Sequence, residues 1–139
     1  MEALAKDGSV NIMKKVIVFG SFDPLHKGHV DFFKQAKKLG DFLTIVVARD
    51  SNIRELKKHE PMLDEEKRLK QVRKAGLADR VILGGAGDYK VLESEKPDII
   101  ALGYDQVVPD PLKNRINKYK IVTLKPYKSE IYKSSLIKQ

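Results

Sequence analysis

The chain has 139 residues, no cysteine, and 27 lysines and arginines against 19 aspartates and glutamates, a formal net charge of +8. That length suits one domain with a genuine core, and the missing thiols exclude disulfides, thiolate metal sites and cysteine nucleophiles. Hydrophobic content of 42% beside 33% charged residues fits a folded soluble protein, and no apolar run approaches the ~20 residues that span a bilayer, so a cytoplasmic location without a membrane partner is expected.

Met1 to Asn11 lack periodicity and precede a second methionine at Met13. They read as an alternative start, a cloning remnant or a flexible extension, which sets residues 1–12 apart from one domain over 13–139. The first strand is expected over Lys15 to Phe19, a β-branched apolar run that breaks at Gly20. Ser21, Asp23 and Pro24 make a polar turn. His26-Lys27-Gly28-His29 then leads into a helix from His29 to Leu39, apolar at Val30, Phe32, Phe33, Ala36 and Leu39, with Gly40 as its C′ residue.

Strand, loop and helix in that order open a βαβ unit. The loop sits at the carboxyl end of a parallel strand beside a helix start, where unpaired N–H groups and the helix dipole favour an anion. Gly20 allows a tight turn, and Gly28 a close approach of ligand to backbone. A single histidine at a helix start is often only a cap or a solvated residue. His26 and His29, three residues apart around Gly28, can instead face one ligand. Two imidazoles, Lys27 and exposed amides suit a phosphate whose charge grows in a transition state.

A second strand, Leu43 to Ala48, is nearly all apolar, as a strand covered on both faces is. Beyond Arg49-Asp50, the segment Ile53 to Met62 carries Arg54, Lys57, Lys58 and His59, a run most simply read as a solvated face. Asp64 N-caps a helix with Lys67 and Arg68 in its opening turns, continuing through Leu69, Val72 and Ala75 to Gly76. A third strand, Arg80 to Leu83, ends at Gly84-Gly85, which lacks the Gly-Lys-Ser/Thr of a phosphate loop.

A short helix, Tyr89 to Glu95, precedes a fourth strand, Asp98 to Leu102, and then Gly103-Tyr104-Asp105-Gln106. A glycine and an aspartate just past a buried parallel strand lie where open α/β sheets bind ligands. An alternative is that Asp105 merely caps a helix over Pro109 to Lys118. The fifth strand is Lys120 to Leu124. Ser134-Ser135 ahead of Leu136-Ile137 start a last helix whose amides and hydroxyls suit phosphate. Five strands alternating with helices predict an α/β Rossmann-like domain, a five-stranded parallel sheet with helices on both faces, its crevice between strands one and four. The basic residues form no dense stripe with interleaved aromatics, so phosphate ligands are expected and nucleic acid is not.

G-S-F-D-P-L-H-K-G-H (Gly20 to His29) resembles the signature of the cytidylyltransferase-like nucleotidyltransferases, whose core is a small residue, Phe, Asp, two residues and His-x-Gly-His. The resemblance implies transfer of a nucleoside monophosphate from a nucleoside triphosphate to a phosphorylated acceptor, with pyrophosphate released. It also implies nucleotide contacts from Gly20, Ser21, Phe22, Asp23, His26, Lys27, Gly28 and His29. Lys57 and Lys58 fall where the family carries lysines for triphosphate or acceptor phosphate. Asp105 stands at an acidic nucleotide contact, and Ser134 and Ser135, with Lys133, at a looser version of the C-terminal Ser/Thr signature.

Ala-Arg-Asp after strand two, Asp64-Glu65-Glu66-Lys67-Arg68 and Leu-Gly-Tyr-Asp-Gln resemble the archaeal FAD synthase branch, and Tyr127 stands at that branch's aromatic contact to base or ribose. That branch takes ATP and FMN to FAD. The expected mechanism is in-line attack by the FMN phosphate on the α-phosphorus, with positioning and charge stabilisation by His26, His29, Lys57 and Lys58. Mg²⁺ would bridge phosphate oxygens with few protein ligands. CTP with glycerol 3-phosphate or a related phospho-alcohol, a sugar-phosphate adenylyltransferase of lipopolysaccharide precursor synthesis, a nucleotide-binding regulatory module and a homodimer stay open.

Overall fold

The computed structural model describes residues 2–4, 10–84, 90–104, 106 and 119–126. Two short strands, β1 (Glu2–Leu4) and β2 (Val10–Ile12), pair antiparallel, with Glu2 opposite Ile12. Within the stretch read as an extension they make a two-stranded ladder of their own.

Five further strands form one parallel sheet: β3 (Lys15–Gly20), β4 (Phe42–Val47), β5 (Arg80–Leu83), β6 (Ile99–Leu102) and β7 (Lys120–Thr123). Their order is β5-β4-β3-β6-β7, with every neighbouring pair parallel. The order reverses beside β3, so the crevice expected between the first and fourth parallel strands lies between β3 and β6.

Alternation along β3 sends Val16 and Val18 to one face and Ile17 and Phe19 to the other. On the first face, Phe33 and Ala36 of α1 (Lys27–Lys37) and Leu69 and Val72 of α3 (Glu65–Ala75) pack with Leu43, Ile45 and Val47. On the second, Leu92 of α4 (Val91–Glu95) packs with Ile17, Val46, Ile100 and Leu102. Both faces are therefore covered, which is why β3, β4 and β6 read as near-continuous apolar runs.

The amino edge of the sheet is pinned by a recurring device. Asp41, Asp79 and Asp98 each stand one residue ahead of a strand, and each carboxylate accepts from an N–H at the start of the neighbouring strand: Lys14 at 2.8 Å, Leu43 at 2.8 Å and Lys15 at 2.9 Å. The aspartates' own N–H groups donate to the Lys14, Leu43 and Lys15 carbonyls in return. Three of the four strand interfaces begin in this register, leaving the opposite edge for loops.

Most boundaries fall within a residue or two of those expected, with Asp64 as N-cap and Gly76 as a left-handed C-cap at φ 71°. Two differ for physical reasons. α1 begins at Lys27 rather than His29, because the His26 side chain caps it. The charged segment after β4 is not only a solvated run: α2 (Asp50–Lys57) occupies it, docked by buried Asn52 and Ile53. Its sparse apolar residues, Ile53 and Leu56, gave too little periodicity to mark a helix. Among the described residues, no helix is long and apolar enough to cross a membrane.

Candidate active site

At the carboxyl end of β3 the two histidines cap α1 for each other. His26 is extended at φ −139°, ψ 179°, and its Nδ1 accepts from the Gly28 N–H at 3.0 Å. The His29 Nδ1 accepts from the His26 N–H at 3.2 Å, closing a capping box built from imidazoles. The rings stack with centroids 3.7 Å apart and planes 23° from parallel. Two accepting Nδ1 atoms assign the ring proton of each to Nε2. The pair thus offers two Nε2–H donors from one stack at a helix start.

Gly28 is needed here for a reason other than the one its sequence position suggests. A Cβ on it would lie 2.8 Å from the His26 Cε1, so the space it leaves is filled by the imidazole rather than kept for a ligand. Gly20 is similar, since a Cβ there would meet the Phe22 ring at 2.5 Å. Phe22, at φ 51°, is buried. Its ring stands edge-on to His29 (5.1 Å, 87°) and to Phe33 (5.0 Å, 70°). The motif phenylalanine is therefore a floor joining His29 to the core.

The Asp23 carboxylate accepts from the N–H groups of Met62 at 2.6 Å and Leu63 at 2.7 Å. It ties the loop before α3 to the His-containing loop. Behind it lies Arg68, wholly buried. Its guanidinium donates to the carbonyls of Leu63 (2.9 Å), Ser21 (3.0 Å) and Ala48 (2.7 Å), and to the Asp50 carboxylate at 2.7 Å. Glu65 accepts from the Asp50 N–H at 2.8 Å and pairs with Arg49 at 3.8 Å, while the Arg49 side chain also donates to the Gly84 carbonyl. One buried cation thus gathers the ends of β3 and β4 and the starts of α2 and α3. The sequence carried a signal for it, because Arg68 shares the inward stripe of Leu69 and Val72.

Lys27 is exposed beside His26, and Ser21 is half-buried. Lys57 closes α2; Lys58 caps it in the left-handed region at φ 61° and is exposed. Nearby, the Glu60 carboxylate hydrogen-bonds Arg54 at 2.9 Å and raises its already high pKa, an exposed pairing of little weight. Across the crevice, Tyr104 is partly exposed at 44%. The Gln106 carboxamide bonds both the Gly103 N–H and the Phe19 carbonyl, a contact that the sequence did not single out. On α1, the Gln35 carboxamide donates to the Lys125 carbonyl at 2.9 Å and accepts from its N–H at 3.0 Å, fixing the start of the segment that carries Tyr127. Asp105, Tyr127, Lys133, Ser134 and Ser135 lie outside the described residues. Among those described, no group of three or more His, Cys, Asp or Glu could hold a metal ion.

Known proteins resemble this chain. The FAD synthase of Aciduliprofundum boonei is 45% identical over 121 residues, covering 83% of this chain and 80% of that protein. The FAD synthase of Thermoplasma volcanium is 43% identical over 133 residues, covering 91% and 93%. A crystal structure of a protein described as a lipopolysaccharide core biosynthesis protein, also from Thermoplasma volcanium, superposes with a TM-score of 0.76 at 45% identity, covering 83% of this chain and 98% of that one. The cytidylyltransferase-like family profile matches residues 17–139, from the central strand through the histidine pair to the end of the chain. By that match and by these identities, the chain belongs to the cytidylyltransferase-like family.

Proposed function

We propose that the chain is an FMN adenylyltransferase, transferring AMP from ATP to FMN to give FAD and pyrophosphate in the cytoplasm. The observation that carries this reading is the stacked His26–His29 pair, with two Nε2–H donors at the start of α1. The name FAD synthase, borne by relatives 45% and 43% identical, supplies the acceptor.

In the reaction, a phosphate oxygen of FMN attacks the α-phosphorus of ATP. The bond from that phosphorus to the oxygen bridging to the β-phosphate breaks, and pyrophosphate leaves with the electron pair. No covalent enzyme intermediate is required, so positioning and charge stabilisation suffice. His26 and His29 donate through Nε2 to α- and β-phosphate oxygens as charge builds there. The backbone around Gly28 and the Lys27 ammonium add positive potential at the helix start. Lys57, Lys58 and Lys133 take the outer phosphates and the acceptor phosphate, Ser134 and Ser135 close on the triphosphate, and Asp105 and Tyr127 contact the nucleoside. Mg²⁺ would arrive with ATP as part of the substrate, bridging its phosphate oxygens.

A sugar-phosphate acceptor is the second reading, favoured by the description of the superposed Thermoplasma volcanium structure. Pyrophosphate release with ATP or CTP against FMN, glycerol 3-phosphate and a heptose 1-phosphate separates the two. Turnover with ATP and FMN alone, with FAD as product, is expected. Turnover only with the heptose 1-phosphate would replace the acceptor and keep the transfer chemistry, and silence in every pair would leave a nucleotide-binding module.

A further inference from the structure

Among the described residues, two large hydrophobic side chains are exposed, Met62 at 77% and Tyr104 at 44%. Both belong to the carboxyl edge of the sheet. Tyr104 follows β6, and Met62, in the connection from α2 to α3, is tied to the loop that follows β3. A single exposed apolar side chain usually means little. Met62 differs because its backbone is anchored. Its N–H donates to Asp23 Oδ2 at 2.6 Å, and the Leu63 N–H donates to Oδ1 at 2.7 Å. The Leu63 carbonyl accepts from the buried Arg68 guanidinium at 2.9 Å, and Pro61, with its fixed φ, stands just before. Bonds to a carboxylate and from a guanidinium are the strong kind. The thioether is therefore held out to water on fixed backbone.

Asp23 stands three residues before His26, at most about 11 Å of extended chain. Met62 is thus fixed one short span from the histidines. In FMN a five-carbon ribityl chain separates phosphate from ring, so an FMN held by its phosphate near the start of α1 carries its ring a comparable distance away. Lys57 and Lys58, assigned above to the outer and acceptor phosphates, precede Met62 by five and four residues in the same connection. Asp105, assigned to the nucleoside, follows β6 on the other side of β3, which leaves the β4 side to the acceptor. We propose, on the FMN reading above, that Met62 is the acceptor-specificity residue, its thioether the apolar platform on which the flavin ring lies. A polarizable sulfur on an unbranched chain packs well on a wide aromatic ring. Covering it removes apolar surface from water only when the acceptor has a ring. A polyol or sugar phosphate gains nothing there, so Met62 favours FMN over both.

FAD synthesis at varied FMN tests this in the full chain, in Met62→Ala and in Met62→Leu, with ribitol 5-phosphate (the arm of FMN without its ring) as competitor. Met62→Ala is expected to raise KM for FMN about tenfold, the scale of leaving one methionine side chain without its cover. Melting and KM for ATP should not move, because the side chain is exposed and lies away from the nucleoside. Inhibition by ribitol 5-phosphate should also be the same in both chains. Met62→Leu, apolar and of similar volume, should recover most of the loss. An unchanged KM for FMN in Met62→Ala overturns the proposal and leaves the transferase standing. Equal weakening of FMN and ribitol 5-phosphate also overturns it, since the loop would then serve the phosphate arm rather than the ring. No FAD from the unaltered chain removes the FMN reading and the ring platform together.

Discussion

His26 and His29 each hold the helix start through Nδ1, which leaves the ring proton on Nε2 for the second task proposed above. A substitution can separate these tasks. His26→Asn keeps a side-chain acceptor that caps a helix as well as any but has no group in the place of Nε2–H. It is expected to melt within about 1 kcal/mol of the unaltered chain, while FAD formation falls by about a hundredfold, the usual loss of one preorganised donor. Equal turnover would remove His26 from the phosphate site. His29→Ala, which loses cap and donor together, should lower turnover by at least as much. Gly28→Ala leaves the ligand side of the helix open but forces a methyl against His26, with the Cβ 2.8 Å from Cε1. Its expected signature is a fall in kcat of about tenfold or more with a small stability change, since a displaced donor no longer meets the growing charge.

Elements meet at this site through buried main-chain contacts. Arg68 donates to three carbonyls from three different loops and to Asp50. Arg68→Met would fill much of the same volume while leaving the Asp50 carboxylate, only 18% exposed, without its cation. A loss of about 3–5 kcal/mol is expected, as when one partner of a buried pair is removed, read as a lowered urea midpoint. Removing the charge from both, as Arg68→Met with Asp50→Asn, should restore part of that loss, which a double-mutant cycle would measure. At the opposite edge, Asp79→Ala deprives the Leu43 N–H of its 2.8 Å acceptor. It should cost about 1–3 kcal/mol with turnover per folded molecule unchanged, since none of the described active-site residues lies at that edge.

For the whole molecule, the amino edge of the sheet is assigned to register and the carboxyl edge to chemistry. The net charge of +8 adds a general attraction for nucleotide and flavin phosphates. Binding of ATP or FMN to the folded state alone should raise the melting temperature with ligand concentration. At a hundredfold excess over Kd the gain is about 2.7 kcal/mol, or several degrees for a chain of this size. A thermal melt titrated with ATP, FMN and heptose 1-phosphate would therefore rank the acceptors without any turnover, and no rise with ATP would count against the nucleotide site itself.

The five parallel strands, the helix after the first of them, the Asp64 and Gly76 caps and the position of the crevice were legible in the sequence, because period, turn residues and cap chemistry are local. His26-x-Gly28-His29 was legible as a histidine pair at a helix start for the same reason. Its internal wiring was not. That the histidines cap each other, that Gly28 makes room for an imidazole, and that Phe22 is a core floor depend on rings meeting after the chain has turned. α2 escaped notice because a short helix with few apolar residues is held by docking rather than by its own pattern. Arg68 and Gln106 are further cases of the same limit. The partners of a charged or amide side chain in a helix or turn are not local: carbonyls 20 and 47 residues away converge on the first and one 87 residues away on the second. Local physics wrote the order of elements and the chemistry of the loop, whereas long-range packing decided which polar groups face each other and which are left to face a ligand.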